Sequence, residues 1–237
     1  MKLDAADRAN EVRKRLARAM PEPKCELDYD GPWQLLVATI LSAQSTDRMV
    51  NRVTPALFAR YPSPTALATA DQTQVESLVK STGFFRNKAK SIRESSRLLV
   101  ERHQGKVPRT LEELVQLPGV ARKTANVVLG TAYGIASGIT VDTHAGRLAR
   151  RLGLTKHADP VKVETDLCAL FPKSSWIDMS HRFVLHGRYV CTAIKPRCAS
   201  CPLAELCPAC EAEPHGRWTE RAERELTLVN SRGEQKA

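Results

Sequence analysis

The sequence predicts an all-α protein. Apolar residues recur at helical spacing along most of the 237 residues, no two runs alternate as paired strands would, and glycine and proline fall mainly between the stripes. In the first segment Val12, Leu16 and Ala19 share a stripe. Trp33, Leu36, Val37, Ile40 and Leu41 form an apolar face behind Pro32, a residue suited to a first helical turn because its missing N–H would have had no partner there. Further helices are expected near Thr46, after Ser63, at Asp71 and from about Asn87 to Arg102. Tyr61-Pro62-Ser63-Pro64, Gly83 and Gly105 mark the loops, and Pro55 should start or kink a helix. Thr110 and Glu113 form a capping-box pattern ahead of Leu111, Leu114 and Val115, and Val120, Thr124, Val127 and Val128 stripe the next segment. After a glycine-containing link from Gly134 to Gly138, helical patterns return from about Ala145, from Asp159-Pro160 and from Ile177 to Tyr189. No internal repeat is visible.

A chain of this length can bury a core without covalent staples. Its formal net charge of +10 favours an anionic partner, nucleic acid or a membrane surface. The most apolar run, Trp33–Ala43, contains Gln34 and Ser42 and is far short of the roughly 20 residues that span a bilayer. The first residues lack a signal peptide's apolar stretch, and Asp4, Asp7 and Glu11 argue against a transit peptide. A reducing intracellular compartment is expected, which suits free thiolates.

Cys191, Cys198, Cys201 and Cys207 lie within one short stretch, separated by six, two and five residues. Thiolates are soft ligands for zinc or iron–sulfur clusters. A structural zinc site usually presents two Cys-x2-Cys pairs, and these four residues contain one. Wider loops carrying Lys195, Pro196, Arg197, Pro202 and Glu205 would wrap something larger than one ion, so a 4Fe-4S cluster is favoured. The spacing is not that of electron-carrier ferredoxins. Cys25, Cys168 and Cys210 fall outside the pattern and read as buried or merely reduced thiols.

Leu117-Pro118-Gly119-Val120-Ala121 joins two short helices, and such a hairpin can present backbone N–H groups to a phosphate. Lys123 falls in the first turn that follows, where the helix dipole and Arg122 would push its amine toward the neutral, nucleophilic form. A lysine that only touches phosphate is the plainer alternative. Asp142, in Val141-Asp142-Thr143-His144, precedes a helix bearing Arg147, Arg150 and Arg151 and could simply be an N-cap. Where a C–N glycosidic bond breaks, a carboxylate is also needed, to offset charge on the sugar or to move a proton.

Together these residues resemble the endonuclease III family of DNA glycosylase/AP lyases, within the helix-hairpin-helix glycosylase superfamily. The likeness covers roughly residues 25 to 210 and rests on Leu41–Asp47 (LSAQSTD), Leu117–Ala125, Val141–His144, Leu185-His186-Gly187-Arg188 and the four cysteines. It implies a six-helix domain over 25–135 carrying the helix-hairpin-helix. An iron–sulfur domain made of 1–24 plus 136–210, a DNA cleft between the two, and a charged mobile tail over 211–237 complete the expectation. Lys123 becomes the nucleophile that displaces the damaged base and forms an imine, with Asp142 as its charge and proton partner. Gln44 would fill the gap left by a flipped nucleotide, and Phe84 would intercalate. Gly119, Ala121, Thr143, His144, Lys195 and Arg197 would meet DNA, with Cys191, Cys198, Cys201 and Cys207 holding the cluster.

The implied substrate is duplex DNA with an oxidised pyrimidine or an abasic site, handled by a monomer in a bacterial cytoplasm near the nucleoid, with no membrane partner. Ala121 stands where the family usually has a second glycine, Phe84-Phe85-Arg86 is bulkier and more basic than usual, and Ala145-Gly146 is smaller. Two other readings are a monofunctional adenine-glycosylase-like enzyme and a non-catalytic iron–sulfur DNA-binding or redox-sensing module. Lys123 and the short C-terminal extension argue against the first. His103, His157 and His181 are assigned no role.

Overall fold

The structure, a computed structural model, describes residues 3–212. Of the expected tail over 211–237, the residues from 213 onward lie outside them. Among the described residues the chain is helical, with no strand, and it divides into two compact units, residues 25–137 and the N-terminal residues to 24 joined with those from 138 onward.

Unit 25–137 is built around α2 (Pro32–Leu41), where every residue from Leu35 to Leu41 is buried. A single stripe fits a surface helix, whereas an all-round apolar helix belongs in a core. Helices α3 (Asp47–Arg60), α6 (Phe85–His103) and α8 (Arg122–Tyr133) pack on it, with α4 (Pro64–Ala68), α5 (Gln72–Val79) and α7 (Leu111–Leu114) completing the unit. The starts follow side-chain chemistry. Thr46, Ser63, Asp71 and Thr110 each accept the N–H three residues on, satisfying an amide that the helix cannot. Pro55 does not start a helix but lies inside α3. The proline removes one backbone bond, but buried Val50, Val53, Thr54 and Leu57 hold the helix together across it. Trp33 donates to Ser96 Oγ at 3.2 Å and stands 5.5 Å from the Phe58 ring.

The other unit combines α1 (Ala5–Ala19) with α9 (Thr143–Arg151), α10 (Pro160–Leu170), α11 (Trp176–Tyr189) and α12 (Pro208–Ala212). In α1 the buried stripe is Ala9, Val12 and Leu16; Ala19 is exposed, one turn beyond the packed surface. Three arginines tie this distant segment to the C-terminal part. Buried Arg182 donates to the carbonyls of Met20 and Pro21 at 3.0 and 3.1 Å. Arg8 reaches Leu152 O, and Arg15 reaches Pro202 O and the Glu205 carboxylate. Phe171 and Phe183 meet edge to face at 5.8 Å in the core.

Helices α9 and α11 approach most closely at Gly187, where an added Cβ would sit 2.6 Å from His144 O. No relaxed contact is that short and the obstacle is backbone, so the helices would have to separate. Gly187→Ala is expected to destabilise the protein by roughly 1–3 kcal/mol, the range for overpacking a close-packed interior, read as a lower urea midpoint at unchanged slope.

Candidate active site and cysteine pocket

The hairpin between α7 and α8 is closed by Val120 N–H donating to Leu117 O at 3.1 Å. Gly119 stands at φ +79°, and a Cβ there would lie 2.8 Å from Ser91 Cβ and 3.1 Å from Ile40 Cγ2. Both the dihedral and the space therefore demand glycine. Ser95 Oγ donates to Pro118 O at 2.7 Å and fixes the turn on α6. Gly119, Ala121 and Lys123 are exposed, while Thr124, Ala125 and Asn126 just behind are buried. Lys123 is thus held on an anchored helix with its side chain outward. Ala121 caps α8 at φ −87°, ψ 168°, extended backbone in which an alanine methyl costs nothing, and its side chain makes no cap bond. Alanine in place of the family's usual glycine therefore introduces no backbone strain at this position.

Two of the three described non-glycine residues with positive φ are side chains nominated from sequence, Gln44 at 51° and Phe84 at 46°. Such conformations cost a β-carbon-bearing residue roughly 1–2 kcal/mol and persist where the surroundings enforce them. Gln44 is exposed in the turn between α2 and α3. Phe84 is 62% exposed at the start of α6, directly after Gly83 at φ 71°. Sequence reasoning missed what holds this loop. Lys88, only 6% exposed, donates from Nζ to Thr82 O at 2.7 Å, and Thr82 Oγ1 donates to Val79 O at 2.8 Å. A lysine one turn after the exposed phenylalanine was the available signal.

In the other unit Asp142 is half-buried and caps α9, its Oδ1 accepting the Ala145 N–H at 2.8 Å. The N-cap reading of this residue is correct. Its second oxygen takes no hydrogen bond among the described residues. Thr143 is exposed. The His144 ring is half-buried, bonded to the Gly187 backbone and 3.3 Å from Arg147 Nη2; burial holds its pKa below the usual histidine value. The ring lies at the α9–α11 crossing, beside Gly187.

Cys191, Cys198, Cys201 and Cys207 are half-buried and line one hollow, together with Leu148, Leu152, His186 and Val190. Among the described residues no three His, Cys, Asp or Glu side chains converge as one metal ion requires. The thiols surround a space, as a cluster needs. Burial pushes Cys198 and Cys201 up to about 11, with neighbouring thiols adding, and raises Cys207 as well. These sulfurs would become thiolates only against a strong positive charge, which cluster iron supplies. Leu203 N–H donates to Cys201 Sγ at 3.4 Å, and His186 Nε2 lies 3.4 Å from the same sulfur. The His186 pKa is depressed by burial to about 4, so the ring is neutral and able to donate. Arg151 braces the first of these cysteines through Cys191 Sγ, Thr192 O and Ala193 O at 3.3, 2.8 and 3.1 Å. The residues fit a 4Fe-4S cluster. Lys195 and Arg197 are exposed on the loop between the first two cysteines. Cys210, set aside in the sequence reading, stands in the same hollow.

A model of the HhH-GPD superfamily of base excision DNA repair proteins matches residues 37–173, and one of the iron–sulfur binding domain of endonuclease III matches 191–207. Endonuclease III of Synechocystis sp. is 56% identical over 86% of this chain and 94% of its own length. This chain belongs to the endonuclease III family. Endonuclease III of Escherichia coli K12 is 41% identical over 83% of the chain and 93% of its own length. A non-covalent endonuclease III–DNA complex superposes with a TM-score of 0.84 at 39% identity, covering 89% of this chain and 98% of that one. A trapped covalent endonuclease III–DNA intermediate follows at 0.81 and 40%, over 86% and 97%. The family's function, base-excision repair by a DNA glycosylase that is also an AP lyase, is the function of this chain, and its cofactor is a 4Fe-4S cluster.

Two outcomes follow from the loops. Gly119→Ala is expected to lower both stability and affinity for DNA, read by urea denaturation and fluorescence anisotropy. Lys88 titrates near 8, below its ordinary 10.5, because burial disfavours its charge. The folded state therefore holds fewer protons than the unfolded one between those values. Relative to Lys88→Met, stability should rise as the pH climbs from about 8 toward 10.5 and be flat below about 7, as urea midpoints across pH would show.

Proposed function

We propose that this endonuclease III relative removes oxidised pyrimidines from duplex DNA through a lysine imine and then cleaves at the abasic site. The observation that carries the reading is Lys123, exposed in the first turn of α8 directly behind the Pro118–Gly119 hairpin. Its amine, once deprotonated, attacks the sugar C1′ and the damaged base departs. Ring opening then leaves an imine between Nζ and C1′. The imine acidifies the C2′ proton; its removal breaks the 3′ C–O bond and releases the 3′ phosphate. Asp142 offsets positive charge on the sugar and shuttles protons.

C1′ cannot be reached inside a stacked duplex, so the nucleotide must be extruded, and a damaged base is easier to extrude. Gln44 and Phe84, already held in strained exposed conformations, suit filling the gap and wedging the stack. The exposed hairpin backbone at Gly119 and Ala121, the start of α9 at Thr143 and His144, and the cations Lys195 and Arg197 take phosphates. The cluster, when bound, supplies a rigid brace for the loop carrying those two cations. The protein works as a monomer on DNA in the bacterial cytoplasm. No helix among the described residues is long and apolar enough to cross a membrane.

The deciding experiment is borohydride trapping on a duplex bearing one oxidised pyrimidine. The unsubstituted protein should give a covalent protein–DNA band and Lys123→Ala none, with DNA affinity retained. Absence of a band from the cluster-loaded protein, on that duplex or on one with an abasic site, would move the reading to a monofunctional glycosylase or a binding module. Asp142→Asn keeps the helix cap, since asparagine caps as well as aspartate. Its expected loss of roughly 10²–10⁴-fold in rate at unchanged melting temperature would separate charge from fold. Lys195→Ala and Arg197→Ala should each flatten the dependence of log affinity on log salt by about one unit.

A further inference from the structure

The segment that leads into α6 carries more positive charge than its unit gives partners. From Ser77 to Arg93 stand five cations, Lys80, Arg86, Lys88, Lys90 and Arg93, and no carboxylate. Two are used inside the unit: buried Lys88 donates to Thr82 O, and Arg93 Nη1 donates to Gln72 Oε1 at 2.8 Å. Lys80, Arg86 and Lys90 are exposed, and none forms an ion pair among the described residues. Further along the same face of α6, Arg97 shows the ordinary arrangement, bonded to Glu94 and Glu101 at 2.9 and 2.6 Å. Arg86 is exposed yet held in place. Its guanidinium carbon stands 5.6 Å from the centre of the Phe85 ring, which packs on the apolar core, and its carbonyl accepts from Gln72 Nε2 at 3.3 Å.

We infer that Arg86 is a further DNA contact, a guanidinium held against Phe85 to take the phosphate beside the base step that Phe84 opens. Phe84 is two residues away, at most about 7 Å along the backbone, so a duplex wedged by its exposed ring brings phosphates to Arg86. A guanidinium suits the task. It meets phosphate oxygens through paired N–H groups while lying flat on an aromatic ring, so little freedom is lost on binding. In the free protein an unpaired cation in the first turn of a helix gains nothing, because the dipole there is also positive. Phosphate is the counter-charge this segment lacks. The contact forms only as the ring enters the stack, so it adds affinity where a nucleotide is easily extruded and none on intact duplex. The inference rests on the reading that Phe84 wedges the stack and is independent of the chemistry of Lys123.

The test is fluorescence anisotropy of the full-length, cluster-loaded chain over a range of salt, on a duplex carrying a tetrahydrofuran abasic analogue and on the same duplex undamaged. Circular dichroism checks the fold of each variant. Arg86→Ala should flatten the dependence of log affinity on log salt by about one unit on the abasic-analogue duplex, and leave it unchanged on the undamaged one. Arg97→Ala, which removes a cation already paired, should change neither slope. An unchanged slope for Arg86→Ala on the abasic-analogue duplex overturns the inference. So does an equal flattening on both duplexes, which would make Arg86 a phosphate contact indifferent to extrusion, or an equal effect from Arg97→Ala, since any surface charge would then suffice. Phe84→Ala judges the underlying reading separately. It should lower the preference for the abasic-analogue duplex, and a preference left undiminished sinks the wedge and not the charge contact.

Discussion

The hairpin ahead of α8 exists only because residue 119 carries no β-carbon. Its φ of +79° and the 2.8 Å that a Cβ would leave to Ser91 exclude every other residue type, and the turn in turn sets where α8 begins. Lys123 owes its exposure to that start. One residue later along the helix, at the position of buried Thr124, would rotate the amine by about 100° around the axis. The Ser95 hydroxyl on the Pro118 carbonyl transmits this geometry to α6, the longest helix of its unit, so Lys123 stands on a braced scaffold.

Strain is placed with the same economy. A phenylalanine left 62% exposed in the left-handed region is unfavourable on both counts, and the fold tolerates it because buried Lys88 and Thr82 hold the preceding backbone. Burying a lysine ammonium is itself costly, which is why its pKa falls toward 8. Two unfavourable features thus sustain one exposed aromatic, an arrangement expected of a side chain whose work is done against a partner and not in the free protein.

Around the cysteines the governing term is charge. Buried thiols resist ionisation, and neighbouring thiols make each successive deprotonation harder. The pocket consequently favours a highly charged cofactor over an empty thiolate cage. Arg151 and the Leu203 amide supply the fixed donors that orient sulfur, and the neutral His186 ring lies against Cys201 Sγ. The same unit spends Gly187 on letting α9 and α11 touch, so the Leu185–Arg188 motif is explained by packing at one residue and by the cluster environment at its neighbour.

Local chemistry made much of this readable in advance. Period-3.6 stripes and the caps at Thr46, Ser63, Asp71, Thr110 and Asp159 depend on residues within one turn, so helix positions followed from the chain alone. The Pro-Gly hairpin, the lysine behind it and the cysteine spacing were legible for the same reason. What stayed hidden depends on contacts distant in sequence. These include the burial of α2 on all sides, the passage of α3 through Pro55, the exposure of Ala19, the place of the His144 ring beside Gly187, the support of the Phe84 loop by Lys88, and the entry of Cys210 into the cluster pocket. Sequence by itself determined the helices and the chemical groups available, because propensity and capping act over a few residues. The tertiary structure alone decided which groups are buried, strained or brought to one pocket, because burial depends on what the rest of the chain brings alongside.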